Sequence, residues 1–180
     1  MLPKLRLAKM DDISALQELI PRSVRQLQKD YYSHELREGA LGSVFGVDSQ
    51  LIKDGTYFVV ENNTAIIGCG GWSYRKLLYG SDQLHTIDEF SLLDPKLDAA
   101  RVRAFFVDPN YVRKGIGTAI LKACEEAIIV NGYTRAELVA TLTGEPLYTS
   151  YGYIAVERYD IGLKNGLFLP VVRMLKSLDV

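Results

Sequence analysis

A chain of 180 residues, 48% hydrophobic and 24% charged, can bury one substantial core, and one domain over 1–180 is expected. Its formal net charge of −1 argues against a general nucleic-acid or anionic-membrane binder, so neither is expected as a partner. Cys69 and Cys124 stand apart without CxxC or Cys/His spacing, which argues against a zinc site or disulfide framework and for a reducing, cytoplasmic setting; no segment reads as a membrane span.

Leu5 and Leu7 alternate with Lys4 and Arg6, a short strand (β1), before Asp11 and Asp12 cap a helix carrying Ile13, Leu16, Leu19 and Ile20. Pro21 predicts a kink or break ahead of Val24 and Leu27, and a second helical stretch runs from Ser33 to about Phe45, with His34 at its surface or end. Thr56–Glu61 and Thr64–Trp72, joined by Asn62-Asn63, read as a β2–β3 hairpin. Residues 76–99 are polar and turn-rich, a long connection of the kind that lines functional sites, with no regular structure expected.

The stretch from Ala100 onward carries most information. An apolar strand, β4, ends at Val107; Asp108-Pro109 turns the chain, and Val112-Arg113-Lys114-Gly115-Ile116-Gly117-Thr118 opens a helix with Ile116, Ala119, Ile120, Ala123, Cys124, Ala127 and Ile128 on its core face. Glycines at a helix head let a ligand approach the unpaired N–H groups of the first turn, which favour an anion, above all a phosphate; Arg113 and Lys114 add two cations. A glycine pair here also serves tight helix–strand packing. No Gly-Lys-Ser/Thr marks a P-loop, and Ile120 stands where a dinucleotide fingerprint needs its third glycine. After the Asn131-Gly132 stop come β5 (about Ala136–Thr141), a short helix from about Glu145 to a stop at Gly152, and two closing strands, Tyr153–Ile161 and Leu167–Met174, around Lys164-Asn165-Gly166.

This order, with the glycine cradle and Leu147-Tyr148-Thr149-Ser150-Tyr151-Gly152-Tyr153, resembles the GNAT superfamily of acyl-CoA-dependent N-acyltransferases. Both cradle glycines match the family pattern, with Val112 where a basic residue or Gln is usual, and Thr141 stands where many members carry Asn at the end of β5. The resemblance implies an α/β (α+β) fold with a mixed, mostly antiparallel sheet of about seven strands flanked by helices, and acetyl-CoA as co-substrate without a metal. It implies that β4 splays from β5 near Phe106 and Val107, which contact the pantetheine arm, and that the pyrophosphate lies on Arg113, Lys114, Gly115, Ile116, Gly117 and Thr118. A side chain at Gly117 would take the phosphate's place. Tyr148 would reach the sulfur as hydrogen-bond donor or general acid.

Such a site must hold an extended thioester arm, polarise a carbonyl, take a proton from an amine and return one to a thiolate. The amine belongs to a small molecule or peptide, and a homodimer is left open. His85, Asp88, Glu89 and Glu137 are candidate bases beside water, with nothing in the spacing to choose among them. Arg101 and Arg103 share one side of β4, as a salt-bridged face or, if that side lines the acceptor groove, as recognition for a carboxylate. Tyr148 has a structural reading too, as a buried aromatic. A chain that kept the cradle but lacked an efficient base would be a non-catalytic acyl-CoA-binding sensor or regulatory module.

Overall fold

The computed structural model describes residues 2–85 and 91–178. Its seven strands are β1 (Lys4–Leu7), β2 (Tyr57–Asn62), β3 (Ala65–Ser73), β4 (Ala100–Val107), β5 (Arg135–Thr141), β6 (Ile154–Gly162) and β7 (Phe168–Ser177). They form one sheet in the order β1-β2-β3-β4-β5-β7-β6. Every neighbouring pair is antiparallel except β4–β5. The expected mixed, mostly antiparallel sheet is therefore present.

Helices α1 (Ile13–Leu27), α2 (His34–Ala40) and α3 (Ser49–Lys53) pack on one face, and α4 (Ile116–Val130) and α5 (Glu145–Ser150) on the other. Two cores result. One gathers Leu16, Leu19, Ile20 and Val24 with Val59, Phe106 and Val171; the other gathers Ile120, Leu121, Cys124 and Ile128 with Val102, Leu138 and Met174. Alternate residues of the central strands supply the two sides, as a strand with both faces covered requires.

Helix α1 runs unbroken through Pro21, where a kink or break was expected. An interior proline costs ~3 kcal/mol, but four large apolar side chains buried on either side of it are worth ~1.5–3 kcal/mol each, so packing outweighs the lost bond. The second helical stretch is shorter than its pattern: Ser33 caps it, its hydroxyl accepting from the Leu36 N–H at 3.2 Å, and it ends at Ala40. A bridge between Leu41 and Phe45 closes the following turn, and α3, capped by Asp48, escaped the sequence reading because five residues carry too little periodicity. Among its described residues the long connection holds a short 3-10 turn, Asp82–Leu84, and it returns beside the residues just after β3 through Lys76 N–H to Ser91 O and Leu93 N–H to Tyr74 O.

Candidate active site

The central feature is a gap in the sheet. β4 and β5 share only two register pairs, Ala100–Ala136 and Arg101–Glu137, although both strands run on to Val107 and Thr141. They diverge where the resemblance placed a splay.

A bulge in β4 helps set this divergence. Arg103 faces Gly71 and Phe106 faces Cys69, so Ala104 and Phe105 together oppose Gly70. Ala104 sits at φ 58°, a left-handed conformation that costs a non-glycine residue about 1–2 kcal/mol. Tyr57, buried on β2, donates its hydroxyl to the Ala104 carbonyl at 2.7 Å and holds the bulge in place. Beyond it the two aromatics separate: Phe106 meets Phe45 edge-on in the α1-side core (6.1 Å between centroids), while Phe105 meets Tyr148 on the other side (6.0 Å). Asp108 N–H bonds to Ile67 O at 2.9 Å, and alternation along this antiparallel pair turns the N–H and C=O of Val107 away from β3, toward the gap.

The cradle follows at once. Asp108 caps a 3-10 turn at Pro109–Tyr111, accepting from Asn110 N–H, and its other oxygen takes Arg22 of α1 at 2.7 Å. Arg113 (φ 56°) and Gly115 (φ 78°) are left-handed on either side of Lys114, and α4 begins at Ile116 with Gly115 as a cap that offers no side chain. Among the described residues no backbone carbonyl outside the helix takes an N–H from Arg113 to Thr118. N–H groups at a helix start that lack such partners favour an anion. Arg113 and Lys114 are exposed beside this helix start, Lys114 with its Nζ 4.9 Å above the Tyr111 ring. A Cβ at Gly117 would lie 3.2 Å from Leu147 Cδ2, so its smallness also lets α4 and α5 approach. The face of α4 differs slightly from expectation, with Leu121 buried and Ala119 exposed.

Tyr148 lies in α5 between Phe105 and Tyr153, edge-on to both, and is almost wholly buried. Burial pushes its phenol well above the usual tyrosine range, so it holds its proton. No hydrogen bond among the described residues engages its hydroxyl. Thr141, in the expected Asn position, accepts from Gly144 N–H at 3.0 Å and shapes the turn into α5.

The candidate bases do not converge. Both oxygens of Glu137 are held, one by Arg101 and one by Arg173 at 2.7 Å, and Arg173 continues to Glu157 at 3.1 Å. His85 Nε2 stands 3.2 Å from Asp48 Oδ1, and Asp88 and Glu89 fall outside the described residues. Arg103 is buried against Asp48 at 2.8 Å and also donates to Gly80 O at 2.7 Å. Of the two readings of Arg101 and Arg103, the salt-bridged face is the one present: their charges are already matched. Asp48, Asp82 and His85 offer ligand atoms within 4.8 Å of one another, and of these three Asp48 also pairs with Arg103. Cys69 and Cys124 are both free and buried on opposite sides of the sheet; burial raises Cys69 to about 12 and Cys124 well above its usual value. Among the described residues, no helix is long and apolar enough to cross a membrane.

Residues 53–155, more than half of the chain, match the family model described as the acetyltransferase (GNAT) domain. No curated protein matches the sequence. Among solved structures the chain is similar to a GCN5-related N-acetyltransferase from Rhodopseudomonas palustris (21% identity, 99% of this chain and 97% of that one, TM-score 0.71). It is similar also to the PaiA N-acetyltransferase of Thermoplasma acidophilum in complex with coenzyme A (14%, 98% and 99%, 0.65). A third is yncA of Salmonella typhimurium with its cofactor acetyl-CoA (16%, 98% and 94%, 0.63). At these identities the likeness is one of fold.

Proposed function

This chain belongs to the GNAT acetyltransferase family and is an acetyl-CoA-dependent acyltransferase, and from that premise we propose that it acetylates an amine of a small molecule or peptide by direct attack in a ternary complex. The observation that carries the reading is the junction of two stretches of backbone: the β4 edge at Val107, turned toward the gap, and the helix head that begins six residues later at Arg113. The residues fit an acyl-CoA, because among the described residues these N–H groups meet no acceptor outside the helix and no capping side chain covers them. Bound acetyl-CoA supplies the acyl group as an activated thioester.

The N–H groups of Gly115, Ile116, Gly117 and Thr118, with Arg113 and Lys114, hold the pyrophosphate. Phe106 and Val107 line the pantetheine arm, and the Val107 N–H polarises the carbonyl oxygen. Tyr148 directs its hydroxyl to the sulfur. Because a thiol of pKa ~8.5 is a stronger acid than this buried phenol, Tyr148 acts as a donor that stabilises negative charge on sulfur while keeping its own proton through most of the step. With Glu137 and His85 engaged elsewhere, removal of the amine proton is assigned to water, with Asp88 and Glu89 as the carboxylates to test beside it.

A screen for acceptor-dependent release of CoA thiol across amines, amino acids, polyamines and peptides tests the reading. Turnover with at least one amine is expected. Acetyl-CoA that raises the melting temperature, with no thiol released by any acceptor, would leave a binding module and sink the transfer reading.

A further inference from the structure

Strand β6 is an open edge of the sheet. Among the described elements only β7 pairs with it, and apart from Tyr159 and Ile161 its residues are exposed. Such an edge is a template for another strand unless something prevents pairing. Ile154 is 69% exposed on it, and Phe168, beside its far end, 64%.

The backbone shows which groups face outward. Asp160 lies opposite Pro170, which has no N–H, and the Pro170 carbonyl accepts from the Tyr32 hydroxyl at 2.6 Å on the β5 side, where Leu142 N–H meets the same hydroxyl at 2.9 Å. Pro170 therefore bonds away from β6. The Asp160–Pro170 pair is a non-hydrogen-bonded one, and the N–H and C=O of Asp160, with those of Arg158 and Gly162 at the same two-residue period, point out of the sheet.

We propose that β6 pairs with β6 of a second copy, antiparallel and centred on Tyr159, joining two seven-stranded sheets into one. In this register Arg158 of each copy lies opposite Asp160 of the other on the same face, and the two Tyr159 residues face each other. Neighbouring twofold registers put like charges together: Glu157 on Glu157, Arg158 on Arg158, Asp160 on Asp160, or, centred on Ile161, Arg158 on Lys164. Asp160 is exposed and forms no ion pair among the described residues. Arg158 already meets Glu145, but its side chain is 61% exposed and its five donors can serve a second carboxylate. The register also sets the exposed Val156 against Gly162 of the other copy, beside which Phe168 lies.

Sedimentation and light scattering on the whole chain test this. The wild type is expected to be a dimer, and Asp160→Arg, a change at an exposed residue, a folded monomer with the wild type's far-UV circular dichroism. Adding Arg158→Asp to that variant reverses both partners of each pair and is expected to restore the dimer. A monomeric wild type, a dimer indifferent to Asp160→Arg, or a doubly reversed chain that stays monomeric would each overturn the proposal.

Discussion

Tyr148 is a buried aromatic whose hydroxyl meets no hydrogen-bond partner among the described residues, so losing that oxygen should cost chemistry more than stability. Tyr148→Phe is expected to lower kcat on the order of 10- to 10³-fold with acetyl-CoA affinity and melting temperature nearly unchanged. Because burial raises this phenol, it stays protonated as pH rises through the assay range, and the alkaline limb of the kcat profile, whatever group sets it, should persist in the variant. A limb that vanished with the hydroxyl would show that Tyr148 itself titrates. At the cradle, Arg113→Glu with Lys114→Glu replaces two exposed cations; at roughly 1.5–3 kcal/mol for a hydrogen bond to a charged group, CoA affinity should fall at least tenfold by calorimetry. Gly117→Val is a poorer probe than its sequence position suggests, since the new side chain would press on Leu147 and move α5, Tyr148 with it.

β4 works because β3 is thin. A Cβ at Gly70 would lie 2.7 Å from the Phe105 ring, and one at Gly68 would lie 2.4 Å from Ile116 Cγ2. The bulge and the head of α4 thus both rest on glycine backbone. Gly68→Ala should push α4 outward, destabilising the fold by ~1–3 kcal/mol in urea unfolding and weakening CoA binding at once. Tyr57→Phe removes the hydroxyl's bond to the Ala104 carbonyl together with its contact to the Cys69 thiol: a loss of ~1 kcal/mol in stability with a larger fall in kcat than in acetyl-CoA affinity is expected, since the bulge lies beside Val107. Equal stability and kcat in this variant would remove the hydroxyl from any supporting role. Much of this architecture was legible in the chain, because alternation in β2–β4, the α4 stripe and the glycine cradle are local signals. The bulge was not: an alanine carries no mark of a left-handed conformation, and the tyrosine that supports it lies 47 residues away. The Asp48–Arg103 and Arg101–Glu137–Arg173 pairings were likewise invisible, since they join charges that the tertiary fold alone brings together.

Across the whole molecule, ion pairs tie the outer strands and helices to the sheet. Arg6 hydrogen bonds hold Asp12 below the ordinary aspartate range; at Asp54 burial pulls upward, but Arg75 and Gln50 outweigh it and the net shift is again downward. A depressed folded pKa adds stability above the unfolded value of ~3.9 that is lost as pH falls through the folded one. Urea unfolding should therefore show stability dropping below about pH 4, with a shallower drop in Asp12→Asn. The divergence of β4 from β5 has a further consequence. With two residue pairs bridging them, β1–β4 and β5–β7 are two backbone-bonded halves held together mainly by side chains, and a pantetheine arm laid between them would act as an interstitial strand. Substrate binding would then also tighten the sheet at its weakest seam, where the halves lose independent breathing, and amide hydrogen exchange along β4 and β5 should slow together on CoA addition.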